Sequence, residues 1–288
     1  GWCWLVLQWN LVSRSVSVDD IKLEHTSWQN DCLVITFAKT KSDQAGEGPS
    51  LAKHVFANII NPHVCPILAL AVFVFCRPAY RASLASFSLF ADIDQRSRFN
   101  NILHDIVSAI PEHVPLGCSR KDIGSHSIRK GAATFLLNQI DGPTAVMVYL
   151  RAGWSLGANP DKYILGGAGG DQLCGRSVSG LDIHSEDFAT LCPHFSEDTL
   201  KMLVNFGWEN ILPGYSRFPD CFQRVVPYLL ARLLYSEHDL RVMLPAGHPM
   251  WHTRLFSLVD PNFRTALKAA VVTGTYHYFS GVIIIFYF

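Results

Sequence analysis

Gly124-Ser125-His126-Ser127-Ile128-Arg129-Lys130-Gly131-Ala132-Ala133-Thr134-Phe135 is the stretch on which the reading of this 288-residue chain turns. A helix starting near Ser125 places His126 and Arg129 three apart on one face. The same helix turns Ile128, Ala132, Phe135, Leu136 and Ile140 inward, and Asp141-Gly142-Pro143 ends it. Phosphoryl transfer uses such a pair, a guanidinium fork for non-bridging oxygens and an imidazole for proton transfer. A solvated helix face explains two such residues as well, so the wider spacing decides. Trp154, in Arg151-Ala152-Gly153-Trp154, comes 25 residues after Arg129, and Tyr163, in Asp161-Lys162-Tyr163, comes nine after Trp154.

Upstream, residues 4–18 read as a helix with Leu5, Gln8, Leu11 and Val12 on one side and Arg14 near its end. The β-branched run 31–38 reads as a strand, the polar segment Lys39–Ser50 as a turn, and His54–Asn58 as the returning strand. Together they predict a β-hairpin with Lys39 and Lys41 at its tip. Phe99, Ile102, Leu103, Ile106, Val107 and Ile110 form an amphipathic helical stripe stopped by Pro111. Residues 143–152 predict a further helix. The fold class that emerges is α+β, predominantly helical, with a small antiparallel sheet. Gly166–Gly170 reads as a flexible joint between residues 1–165 and a C-terminal extension, 166–288. In that extension Phe222, Val225, Val226, Leu229, Leu230 and Leu233 make an apolar helical stripe.

Composition narrows the class. With 49% hydrophobic and 17% charged residues, the chain has material for a sizeable core in one or two domains. Disordered, collagen-like and disulfide-scaffold proteins are excluded. Lys and Arg number 24, as do Asp and Glu, so any case for nucleic acid rests on local clusters. Those clusters are Lys39 with Lys41, Arg96 with Arg98, Arg120 with Lys121, and Arg129 with Lys130. The eight cysteines contain no CxxC, and His63-x-Cys65 and Cys192-x-His194 lack partners at zinc spacing. Free, mostly buried thiols in a reducing compartment are therefore expected, with no metal site.

The opening Gly1–Trp9 is apolar without a basic region or cleavage site, so it does not read as a signal peptide, and the chain reads as a piece lacking its upstream part. The apolar tail 271–288 is interrupted by His277, Ser280 and Gly281. It reads as a buried β-rich segment or read-through beyond a decayed frame, and no membrane association is expected.

The order His126-x-x-Arg129, Gly153-Trp154, Tyr163 resembles the C-terminal half of the tyrosine recombinase (phage-integrase-type) catalytic domain. Ser13-Arg14-Ser15 matches that family's early arginine, and the Lys39-Thr40-Lys41-Ser42-Asp43-Gln44 turn its hairpin lysine. The run Lys41–Glu47, His54-Val55-Phe56-Ala57-Asn58, Cys65–Ala71 and Gly175-Arg176-Ser177-Val178 are similar to integrases of eukaryotic Crypton-type mobile elements, and the likeness reaches about residue 195. The family's N-terminal DNA-clamping domain is absent from this stretch.

The resemblance implies a catalytic set of Arg14, Lys41, His126, Arg129, Trp154 and Tyr163. Tyr163 would attack a DNA phosphate, giving a 3′-phosphotyrosine and a free 5′-hydroxyl, with no metal or nucleotide cofactor. Arg14 and Arg129 would hold the non-bridging oxygens, and Trp154 would donate its indole N–H. Lys41, with Lys39 as the alternative, would protonate the leaving oxygen, and His126 would assist proton transfer at Tyr163. Lys39, Arg96, Arg98, Arg120, Lys121 and Lys130 are candidates for phosphate contacts along double-stranded DNA, though a solvated face explains them equally well. Self-association on DNA and a nuclear location go with this reading. The alternative is a decayed or domesticated remnant that only grips DNA. A phosphate-binding protein unrelated to DNA is a third reading.

Overall fold

The first helix, α1 (Trp2–Leu11), is apolar around nearly its whole circumference, and Cys3, Trp4, Val6, Leu7, Gln8, Asn10 and Leu11 are all buried. A helix without a polar face belongs inside a domain, and in the computed structural model a strand and several helices from residues 15–178 pack on it. The structure describes residues 1–37, 52–77, 88–90, 94–111, 120–156 and 168–275, without the side chain of Lys121. The expected turn 39–50, Tyr163 and the tail beyond residue 275 lie outside these residues.

After α1 come α2 (Ser15–Asp19), β1 (Thr26–Gln29), β2 (Cys32–Thr36), β3 (Ala52–Phe56), α3 (Pro66–Cys76), α4 (Gln95–Ala109), α5 (Ser125–Leu137), α6 (Ala145–Ala152) and α7 (Ala168–Val178). The C-terminal region adds β4 (His194–Phe195), α8 (Glu197–Phe206), α9 (Trp208–Ile211), α10 (Asp220–Gln223), α11 (Val226–Tyr235), α12 (Glu237–Met243), α13 (Arg254–Ser257), α14 (Pro261–Ala269) and β5 (Val271–Val272). The described residues are thus mostly helical, with a small antiparallel sheet in the order β1-β2-β3 and a two-stranded β4-β5 pair.

Strand alternation divides the sheet's two faces. Leu33, Ile35 and Val55 enter the main core with α1 and α3, while Cys32, Val34 and Phe56 form a separate small cluster. Lys53 pairs with Ile35 and His54 with Val34, so Lys53 shares the core face and His54 the opposite one. Helix α7 lies close on β3: a Cβ at Gly175 would collide with the backbone oxygen of His54, so only glycine allows this approach.

Several expectations change. The helix expected over 4–18 stops at Leu11, because Val12 adopts a left-handed conformation (φ 50°) and Ser13-Arg14 leads into the separate α2. The expected hairpin is the β2–β3 part of a three-stranded sheet, since Thr26–Gln29 pairs with β2 as well. Helix α5 ends at Leu137, and Ile140 beyond it is 80% exposed rather than inward. Phe135 is 39% exposed rather than buried, leaning on the Trp9 ring at 5.8 Å. Helix α4 forms as expected, but it buries Val107 and leaves Ile102 and Ile106 about half exposed.

The second half of the expected joint, residues 168–170, opens α7, which packs on β3, α5 and α6. The C-terminal stripe behaves as read: Phe222, Val225, Val226, Leu229, Leu230 and Leu233 are fully buried, and α11 packs on α3 in one continuous core. All the cysteines among the described residues are free thiols. No helix among the described residues is long and apolar enough to cross a membrane.

Candidate functional site

A helix end leaves backbone carbonyls without partners inside the helix, and the partial negative charge there attracts cations. Where α1 breaks, the freed oxygens of Asn10, Leu11 and Val12 meet three cationic side chains from three other elements. Arg151 of α6 donates to the Asn10 oxygen through Nε (3.2 Å) and Nη2 (2.7 Å). Lys53 of β3 donates to the Leu11 oxygen at 2.8 Å, and Arg129 of α5 donates through Nε to the Val12 oxygen at 3.1 Å. All three are buried. The left-handed backbone at Val12, unfavourable for a β-branched residue by about 1–2 kcal/mol, is held by these contacts.

Arg129 also donates to the Ala152 oxygen at the end of α6, and its guanidinium lies 5.4 Å from the centre of the Trp154 ring. Gly153 takes φ 65° to close α6, which turns Trp154 back so that its backbone N–H donates to the Tyr149 oxygen at 2.9 Å. The Trp154 ring meets Tyr149 edge-on at 5.3 Å, and its indole N–H makes no hydrogen bond among the described residues. Arg14 is half-buried at the start of α2 and forms no hydrogen bond or ion pair among the described residues. Burial and the nearby Arg14 charge lower the Arg129 pKa to about 10, which leaves it charged at neutral pH.

Lys53 was not anticipated. Its Nζ also donates to Ser13 Oγ at 2.8 Å and sits 5.2 Å from the Phe37 ring centre. Burial, then the charges of Arg151, Arg129 and Arg14, push its pKa down to about 7, against the opposing pull of Asp171. Asp171, on α7, is the carboxylate of the cluster. It accepts from the His54 backbone N–H (2.7 Å), engages His54 Nδ1 (2.8 Å) and pairs with Arg151 (2.6 Å). Arg151 in turn donates to the His54 oxygen at 2.9 Å, so the two residues satisfy the free backbone edge of β3 at His54. Tying α1 to its neighbours, Gln8 donates to the Ser125 oxygen (2.8 Å) and Trp9 to the Val178 oxygen (3.0 Å).

Burial raises the Asp171 pKa, but the Arg151 charge and the hydrogen bonds from His54 and Arg151 outweigh it and hold the carboxyl at about 2, against an ordinary 3.8. A depressed carboxyl pKa stabilises the fold above the unfolded value and loses that contribution as pH falls through the folded one. About 2 kcal/mol of stability is therefore expected to disappear between pH 4 and pH 2. Urea unfolding at pH 5 and pH 2.5 checks this, and Asp171→Asn should flatten the loss.

Among the residues singled out in the sequence, Arg14, Arg129 and Trp154 come together here. His126 is exposed on α5, one turn before Arg129, and makes no hydrogen bond or ion pair among the described residues. Lys39, Lys41 and Tyr163 lie outside the described residues. Arg96, Arg98 and Lys130 are exposed. Arg120 donates to the oxygens of Val107 and Pro111 (2.7 Å) and so closes the end of α4. No group of three or more His, Cys, Asp or Glu that could hold a metal ion occurs among the described residues. Comparison with protein-family models, curated proteins and solved structures finds no match for the chain.

Proposed function

We propose that the chain is a DNA strand-breaking and rejoining enzyme of the tyrosine recombinase type, an integrase of a mobile element, with its phosphate site at the broken end of α1. The observation that carries this reading is an excess of positive charge: Arg14, Lys53 and Arg129 cluster there, while the one carboxylate among the described residues of the cluster, Asp171, is already paired with Arg151. Cations taken from water without carboxylates are expensive unless an anion completes the site, and a phosphodiester is such an anion.

In the proposed reaction the Tyr163 oxygen forms a bond to phosphorus as the bond to the 5′-oxygen breaks, and the 5′-hydroxyl leaves with one added proton. The reverse attack by a strand's 5′-hydroxyl restores the diester and frees Tyr163. The diester's energy stays in the covalent link, so no cofactor is required. Arg14 and Arg129 neutralise the charge that builds on the non-bridging oxygens, with the Trp154 N–H as a further donor. His126 takes the phenol proton. Lys41 or Lys39 supplies the proton to the leaving oxygen, and Lys53 adds positive charge from within the cluster. Exposed Arg96, Arg98 and Lys130 carry contacts to neighbouring phosphates, and self-association on DNA and a nuclear location belong to the same proposal.

The exposed position of His126, outside the cluster, favours a second reading in which the chain grips DNA without cutting it. Incubation with a pool of random-sequence duplexes, each carrying a nick, separates the two. Cleavage yields a protein–DNA adduct that survives denaturant. Gripping yields only binding that weakens steeply with salt.

A further inference from the structure

Lys53 stands on the core-facing side of β3, with charged groups facing it from four elements. Arg151 approaches from α6, Arg129 from α5, Arg14 from the start of α2, and Asp171 from α7. His54, its neighbour in β3, is engaged with the same Asp171 carboxylate. Among the described residues, two of the ammonium's three hydrogens are placed by Leu11 and Ser13 and the Phe37 ring lies 5.2 Å away; the third hydrogen is the one an anion would take. We propose that Lys53 is the titrating member of the phosphate site and that Asp171 is the positioning residue that keeps it in its protonated, anion-binding form.

The geometry gives Asp171 two ways to act. Through the His54 backbone N–H it fixes the strand position next to Lys53, and its negative charge opposes three surrounding cations. Burial, and then those cations, bring Lys53 to about 7, so the cluster changes charge within the neutral range. With Lys53 protonated, the four cations Lys53, Arg14, Arg129 and Arg151 against Asp171 leave a net charge of +3. With Lys53 neutral the balance is +2. Phosphate affinity should therefore fall as pH rises through neutrality. This consequence rests on the phosphate-site reading; the titration itself does not.

The test is an NMR titration of the full chain carrying lysine labelled with carbon-13 at the ε position, the Lys53 signal being identified by its loss in Lys53→Met. Lys53 should titrate near 7 while exposed lysines titrate near about 10.4. Asp171→Asn should move the Lys53 midpoint down, and Arg14→Gln should move it up by a smaller amount. A purely structural Asp171 would leave the midpoint where it is. A wild-type midpoint near 10, or one that Asp171→Asn fails to lower, overturns the proposal. If Asp171→Asn does not fold, Arg14→Gln tests the titration of Lys53: the Arg14 side chain makes no hydrogen bond among the described residues, and an unmoved midpoint overturns the proposal.

Affinity for a short duplex should drop roughly tenfold from pH 6 to pH 8 in the wild type and stay level in Lys53→Met. A midpoint near 7 without any duplex binding would count against the DNA reading. Duplex binding with a midpoint near 10 would count against the role of Lys53.

Discussion

Replacing Arg151 by methionine is expected to destabilise the fold by about 3–5 kcal/mol, read as a fall in the urea midpoint. The side chain is fully buried and donates to the oxygens of Asn10, His54 and Asp171 and to the Asp171 carboxylate. Methionine fills similar volume, so the loss is not one of packing. It comes from leaving a buried carboxylate without its cation and an α1 carbonyl without its donor. The double variant Arg151→Met with Asp171→Asn should recover part of the loss, because it removes the stranded charge. Additive losses would show that the two side chains act independently.

Arg129→Lys is expected to slow formation of the covalent DNA adduct by about 10²–10³-fold, while circular dichroism stays native. Lysine keeps the positive charge but not the planar fork. Arg129 uses one edge on Val12 and Ala152 and lays its face on Trp154, an arrangement that a single ammonium cannot reproduce. Duplex affinity should weaken much less than the adduct rate, since contacts from the exposed cations remain. Equal losses in both would place Arg129 in binding rather than in transition-state stabilisation.

Much of this was legible in the residues. The apolar spacing in 222–233 gave a buried stripe, and the resemblance assigned Arg129 and Trp154 to one site, where the structure brings the guanidinium to 5.4 Å from the indole ring centre. The break at Val12 was not legible, because the apolar pattern runs on through Leu11 and Val12 and only hydrogen bonds from distant Lys53, Arg129 and Arg151 settle it. Strand β1 was hidden because Thr26–Gln29 has little apolar alternation and is held by its partner β2.

Lys53 did leave a trace. Beginning the strand at Ala52 rather than His54 puts Lys53 on the same face as Val55, and a lysine at a core-facing position marks an unusual environment. Asp171 left none. It follows a glycine run that reads as a joint, and its partners are 20 residues or more away in sequence. Ile140 misled because the helical period was carried past Leu137, where the chain turns with Asp141 at φ 55°.

The most direct test of the proposed chemistry is to trap the enzyme on the nicked duplex pool, digest it with protease and identify the peptide bonded to DNA. The account predicts one linkage, through the Tyr163 oxygen to a 3′-phosphate, and no adduct from Tyr163→Phe. An adduct that persists in Tyr163→Phe, or duplex that is bound across the neutral range and never becomes covalently joined, would contradict it.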